Sequence, residues 1–446
     1  MMALCAPVAF AADPPVLPMV ETELTRPALP PILTMRDRAR VENALLADRL
    51  NTVIPRLMRD QKIDMWVLVA REYFEDPVVA TMLDAESLHA RRRTILVFFD
   101  PGEDRPVERL TVSRYGMGDL FRGAWDPQAQ PDQWKALAEL IARRDPKQIA
   151  INTSSLTAFG DGMTLSQHGE MVAALPQTYR DRIVSGEGLS VGWLETRTPA
   201  EMKLYPGIMR LAHAVIAEAF SGATIKPGKT TTADVVWFYR ERLARLGIAT
   251  WFHPSAALQR QGVKGFLDGD TVIQKGDLLW TDFGITYLRL NTDTQHLAYV
   301  LKDGETRAPA GLRAGLAAAN RVQDALTSSF AVGLTGNEVL AAARTKAVAQ
   351  GLKPSIYSHP LGYHGHGAGP AIGFWDNQSP DIRGSLKVHP DTVWSIELAA
   401  FAAVPEWDGQ EVAFRAEENA FFDGQQVRYL DGRQTELTLI PGRPDR

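Results

Sequence analysis

Two aspartates eleven residues apart, Asp282 and Asp293, lie in the otherwise strand-forming stretch KGDLLWTDFGITYLRLNTDTQHLAYVL, residues 275–301. A carboxylate among β-branched and aromatic neighbours has no solvated face to occupy, so it must be paired or bound to something positive. Two of them invite a shared cation. A second polar cluster, HPLGYHGHGAGP at 359–370, brings three of the nine histidines, His359, His364 and His366, within eight positions among glycines. Glycine lets backbone approach a ligand closely. Glu397 stands alone in the apolar run TVWSIELAAF, and Arg415, Glu417 and Glu418 sit within VAFRAEENAFF. Any one of these acids could simply be the partner of a buried arginine. Together they form a carboxylate-rich set with an imidazole, which suits Mn, Co, Fe or Zn in a two-metal site where carboxylates bridge ions about 3.5–4 Å apart.

The elements that must position these groups can be read from the periodicity. From Arg36 to Gln61 the pattern is helical, with Val41, Leu45, Leu46, Leu50 and Ile54 on one side. WVLVA at 66–70, RTILVFF at 93–99 and QIAIN at 148–152 read as strands, with a helix from Trp134 to Arg143 between the last two. This alternation predicts an α/β domain. Thr198-Pro199-Ala200-Glu201 carries an N-cap followed by proline and opens a long helix; IKPGKTTTADVV then gives a turn and a second helix before the strands at 275–301. Helices at 309–330 and through Ala349, followed by strand-like segments at 392–400 and 411–422, repeat the order. Residues 198–440 are therefore expected to form one domain of two related halves.

Composition narrows the class of protein. With 45% hydrophobic and 23% charged residues, the 446-residue chain has the make-up of a globular protein of two or three domains. A net charge of -5, with no basic stripe interleaved with aromatics, argues against a nucleic-acid partner. No run of 18 apolar residues is present, so no membrane span is expected. The apolar start MMALCAPVAFAA with Ala9-Phe10-Ala11 has the form of a signal peptide over residues 1–11, which implies a periplasmic or secreted protein, with the cytoplasm as the alternative. Cleavage there removes Cys5, the only cysteine, and with it any disulfide or thiolate metal site. Residues 12–35 are proline-rich and read as an extended arm.

The second half resembles the pita-bread fold of the creatinase, prolidase and aminopeptidase P family of metallopeptidases. Asp282-Phe283-Gly284 and Asp293 match its Asp-x-Gly motif and following Asp; Gly365, His366, Gly367 and Gly369 match its Gly-His-Gly-x-Gly; Ile396-Glu397 and Arg415-x-Glu417 match its last two. The resemblance implies an α/β creatinase-type N-terminal domain over 36–192, then an α+β pita-bread domain over 193–446 with an internal pseudo-two-fold repeat. It also implies five metal ligands, Asp282, Asp293, His366, Glu397 and Glu417, holding two divalent ions, Mn(II) first, with Zn(II), Co(II) or Fe(II) as alternatives. Hydrolysis on the N-terminal side of proline in a small peptide would follow, with the ions activating a bridging water, Glu397 as proton shuttle and Arg415 orienting Glu417. A homodimer or homotetramer is the implied assembly.

The chain departs from its family around this set. The family's second histidine, expected seven positions after His366, is replaced at Gly373, and its Asp-x-Thr-Arg reads here Asp293-Thr294-Gln295-His296. The expected substitutes are His359 and His364 as catalytic contacts, and His253, Arg260 and His296 as substrate contacts. An altered specificity is therefore expected, and two other readings stay open: a hydrolase acting on an amidine or phosphotriester, or a binding protein that keeps its metal for structure.

Overall fold

The computed structural model describes residues 29–102 and 105–442. The signal-peptide reading at 1–11, and the arm up to residue 28, fall outside these. The arm's last residues do pack: Leu29, Ile32 and Leu33 lie on an apolar cluster, and the Leu33 amide donates to the Tyr287 hydroxyl at 2.9 Å.

A helix at Met35–Asp60, capped by the Thr34 hydroxyl, buries Val41, Leu45, Leu46, Leu50, Val53 and Ile54 along one stripe. It covers a six-stranded mixed sheet whose order runs Arg122–Gly123, Glu108–Thr111, Arg93–Phe99, Met65–Arg71, Ile149–Ile151 and Ile183–Ser185. The three strands read from the sequence are its middle members. Those at 108–111 and 183–185 were not foreseen, being short and only partly buried.

The second sheet has nine strands. Its main path is Pro354–Ile356, Thr392–Val404, Gln410–Phe422, Thr294–Val300, Leu278–Phe283 and Ser255–Gln259, with His359–Leu361 added beside Thr392–Val404. Helices at Pro199–Ala219 and Thr232–Leu246 precede one group of these strands, and helices at Ala310–Thr327 and Gly336–Ala349 precede the other. Three of the four start with a reciprocal capping box, Thr198 with Glu201, Thr231 with Asp234 and Thr335 with Glu338. Helix and sheet share two large apolar clusters. One is built around Met209, Leu211 and Val215 with Ala298 and Val300; the other joins Leu316, Ala319 and Val322 to Ile396 and Leu398. Among the described residues no helix is long and apolar enough to cross a membrane.

A buried ionic lock ties the first helix to the start of the second half. Arg49 pairs with Glu201 at 2.9 Å, donates to the carbonyls of Thr196 and Trp193, and stacks on the rings of Trp193 and Tyr363. Arg197 holds the other Glu201 oxygen at 3.0 Å. Both ends of the Arg49–Glu201 pair are fully buried. Arg49→Ala strands a buried carboxylate short of one partner, and chemical denaturation should read a loss of about 3–5 kcal/mol in unfolding free energy.

Candidate metal centre

Strand register assembles the acidic residues into one row. Gln295 lies opposite Asp282 on one neighbouring strand and opposite Glu417 on the other, and Glu417 lies opposite Glu397. Side chains alternate between faces along a strand. Asp293, two residues before Gln295, therefore joins the same face, as does Ser395, two before Glu397. His359 is the register partner of Ser395 and completes the group. Five strands thus place Asp282, Asp293, Glu397, Glu417 and His359 together, and ligand atoms of Asp282, Asp293 and Glu417, and of His359, Glu397 and Glu417, approach within 4.8 Å of one another.

The cradle is buried. Exposure is 4% for Asp293, 5% for Glu397, 1% for Glu417 and 3% for His359. Burial pushes the Asp282 carboxyl up to about 7. Burial first, and then the charges of the other carboxylates, push Asp293, Glu397 and Glu417 well above the usual carboxylate range. Four such acids held together without a cation are an unfavourable arrangement.

The fit to divalent metal rests on unmet atoms. Oδ1 of Asp282, Oδ1 of Asp293, Oε2 of Glu417 and Nε2 of His359 are all buried without a hydrogen-bond partner. The structure instead spends hydrogen bonds on aiming them. Asn419 clamps the Asp293 backbone from both sides, accepting from its N–H at 3.0 Å and donating to its carbonyl at 2.6 Å. The Ser395 hydroxyl donates to Glu417. His359 Nδ1 lies 3.0 Å from the Pro360 carbonyl, which assigns the proton to Nδ1 and leaves the Nε2 lone pair free, 3.7 Å from Asp293 and 3.9 Å from Glu397. Burial, with the neighbouring His366, pushes the His359 pKa down to about 3, so this ring is neutral.

That geometry redistributes the histidines. The motif reading put the ligand imidazole at His366, but His366 is exposed and reaches a ligand group only in company with Asp293 and His359. His359 is the imidazole inside the carboxylates, because it is the one on a strand in register with Ser395. His366 follows it by seven positions, the interval at which the family's second histidine was sought and missed. It packs edge-on to His359, 4.7 Å between ring centres, beside Trp251 and Tyr357. His364 does not enter the cradle; it stacks on Phe159 at 4.0 Å, and burial pushes its pKa down to about 4.

Other expected contacts are used elsewhere. Arg260 makes a bidentate pair with Asp277, 2.7 Å for each contact, and binds the Val272 carbonyl, so its fork is taken. His253 is exposed and meets Arg240 at 3.0 Å and the edge of Trp237. His296 binds Glu418 at 2.9 Å, on the opposite face of the sheet from its neighbour Gln295. Arg415 lies among the rings of Phe266, Trp280 and Trp375 at 4.5, 4.9 and 5.1 Å, while Ser395 does the orienting of Glu417 assigned to it.

Two residues outside the expected ligand and contact set join the cradle. Gln295 accepts from the Trp280 indole at 2.9 Å and donates to Glu397 Oε1 at 2.5 Å; the Trp375 indole donates to the same oxygen at 3.1 Å. Gln295 was legible only as a departure from the family's threonine, and Trp375 lies in a loop with no periodic signal.

The histidine loop itself is braced by distant residues. The Gly369 amide donates to Glu195, which burial pushes up to about 8, and Tyr363 is sandwiched between Arg49 and Arg197. A Cβ on Gly365 would strike the Trp251 ring, which accounts for glycine there.

The second sheet thus carries a buried cradle of four carboxylates and an imidazole, a donor set that suits divalent metal. Residues 207–427 match the model of metallopeptidase family M24. Solved structures agree in fold. An X-Pro aminopeptidase from Thermotoga maritima is similar over 86% of this chain and 99% of its own, with 17% identity and a TM-score of 0.60. An Xaa-Pro dipeptidase from Bacillus anthracis covers 88% and 99%, with 14% identity and a TM-score of 0.56. The dipeptidase PepE from Mycobacterium ulcerans covers 90% and 99%, with 18% identity and a TM-score of 0.57. A search of curated protein sequences returns no match.

Proposed function

We propose that the chain is a dinuclear-metal peptidase that cleaves small peptides at an Xaa-Pro bond, with a specificity changed by its own substitutions. The observation that carries this reading is the overlap of two ligand groups, Asp282–Asp293–Glu417 and His359–Glu397–Glu417, which share Glu417. Asp293 lies within reach of both, since it also groups with His359. Asp282, Asp293, His359, Glu397 and Glu417 would hold two divalent ions; Mn(II) is the first candidate. The ions supply Lewis acidity towards the scissile carbonyl and activation of water at neutral pH.

The chain's own groups do the rest. Trp375 and Gln295 occupy Glu397 Oε1 with N–H donors, which leaves Oε2 as the oxygen that takes a proton from the attacking water and returns it to the leaving amine. His366, the exposed imidazole packed edge-on to His359, would donate to the substrate carbonyl as it gains charge. Arg415, a cation in an aromatic box near Asp282 and Glu397, would attract a substrate carboxylate. Gln295, where the family has threonine, would give the specificity its difference.

The two histidines separate in solution. His359→Ala should lose bound metal and activity together, as read by elemental analysis. His366→Ala should keep its metal while kcat falls by about 10²-fold. The reverse pattern returns the ligand role to His366. Turnover itself is tested on a panel of Xaa-Pro dipeptides and longer peptides with and without Mn(II), beside amidines and phosphotriesters. Cleavage confined to the non-peptide substrates would move the reading to the alternative hydrolase.

A further inference from the structure

On the face of the sheet opposite the cradle, His213, His296 and Glu418 converge. Glu418 follows Glu417 and so points the other way, His296 follows Gln295 in the same manner, and His213 reaches them from the helix Pro199–Ala219. His213 Nε2 lies 2.9 Å from one Glu418 oxygen and His296 Nε2 lies 2.9 Å from the other. The two rings stack at 5.0 Å, and candidate ligand atoms of all three residues lie within 4.8 Å of one another.

The surroundings are those of a ligand set. Asp431 holds His213 Nδ1 at 3.0 Å, the carboxylate–imidazole relay that fixes a metal-binding histidine with its other nitrogen aimed at the ion. Arg210 in turn holds Asp431, and the Gln434 amide donates to Glu418 Oε1 at 2.9 Å. Glu418 is buried, while the imidazoles keep 17% and 14% of their surface, so the group is open to solvent from one side.

We propose that His213, His296 and Glu418 form a further metal site, separate from the peptidase cradle, for a transition-metal ion that favours imidazole, Zn(II) in particular. Two imidazoles with one carboxylate and an open position suit Zn(II) better than an oxygen-seeking Mn(II). Binding replaces the Nε2 proton of His213, which leaves to solvent as the dication enters, so uptake strengthens as pH rises. Burial opposes the charge on His213, but its hydrogen bonds to Asp431 and Glu418 outweigh this and hold its pKa up to about 9. Proton and metal therefore compete for one set of lone pairs.

The test is a Zn(II) titration of the full chain at pH 8.5, followed by elemental analysis and zinc-edge anomalous diffraction. Three ions per chain are expected, one of them between His213 and His296. His213→Gln should bind two and keep its Mn(II)-supported peptidase rate, and Asp431→Asn should weaken the third site by about 10–100-fold. If His213→Gln does not fold, the anomalous map of the unaltered protein decides. No zinc peak between the two imidazoles, or an unchanged count in a folded His213→Gln, overturns the proposal. A failure of the peptidase reading would show instead as loss of the ions at Asp293 and Glu417.

Discussion

Glu397→Gln should lower kcat on a cleaved Xaa-Pro peptide by about 10²–10⁴-fold, the range lost when a positioned proton-transfer group is removed. The amide keeps the size of the side chain and can still meet the Trp375 or Gln295 side of the pocket, but its Oε2 equivalent can no longer take up a proton. Asp282, Asp293, His359 and Glu417 remain to hold metal, so elemental analysis of the variant should still find bound ion. A rate within threefold of the unaltered protein would remove Glu397 from the proton path, and an unchanged biological function with no turnover in either protein would favour a metal kept for structure. Gln295→Thr offers a milder version. It removes one N–H from Glu397 Oε1 and restores the family's residue, so its effect should be smaller and should appear in the metal affinity as well as in kcat.

The second large effect is on stability. Burial pushes the Asp282 carboxyl from its ordinary 3.8 up to about 7, and Asp293, Glu397 and Glu417 are raised in the same direction by burial and mutual repulsion. Between the unfolded and folded values the native state binds more protons than the unfolded state, and stability then falls as pH rises. As far as these groups are concerned, the metal-free protein should therefore be most stable below about pH 4, and should lose stability from there up to at least pH 7. Calorimetric melting of chelator-treated protein should show Tm dropping by roughly 5 °C or more across that interval. Excess Mn(II) should abolish most of the drop at pH 7, because the ions replace the missing protons and bind only the folded chain. Glu195, pushed up to about 8 by burial and lying at the Gly369 amide, contributes a slope of the same sign that metal does not remove. Equal pH slopes with and without metal would show that the cradle does not bind it.

Much of this was legible in the sequence because the carboxylates are chemically out of place. Asp282, Asp293, Glu397 and Glu417 interrupt strands that are otherwise apolar, and a strand's period of two is enough to put them on one face once their strands pair. The cap at Thr198 is local and was equally readable. The choice between His359 and His366 was not. Both sit among glycines, and what separates them is that His359 pairs with Ser395 across strands 36 residues apart, a long-range register that a motif cannot carry. Arg260 and Arg415 were misjudged for a related reason. Their partners, Asp277 in one case and the rings of Phe266, Trp280 and Trp375 in the other, are brought to them by the sheet and its loops. His296 read as a substrate contact because it follows Asp293 so closely. An odd spacing of three puts it on the other face of the sheet, where Glu418 receives it.

Anomalous diffraction at the manganese edge from Mn(II)-loaded crystals tests the central claim most directly. Two peaks about 3.5–4 Å apart are predicted, both within the cradle of Asp282, Asp293, His359, Glu397 and Glu417. A cradle that stays free of manganese at millimolar concentration, or a single ion held by His366 in place of His359, would contradict it.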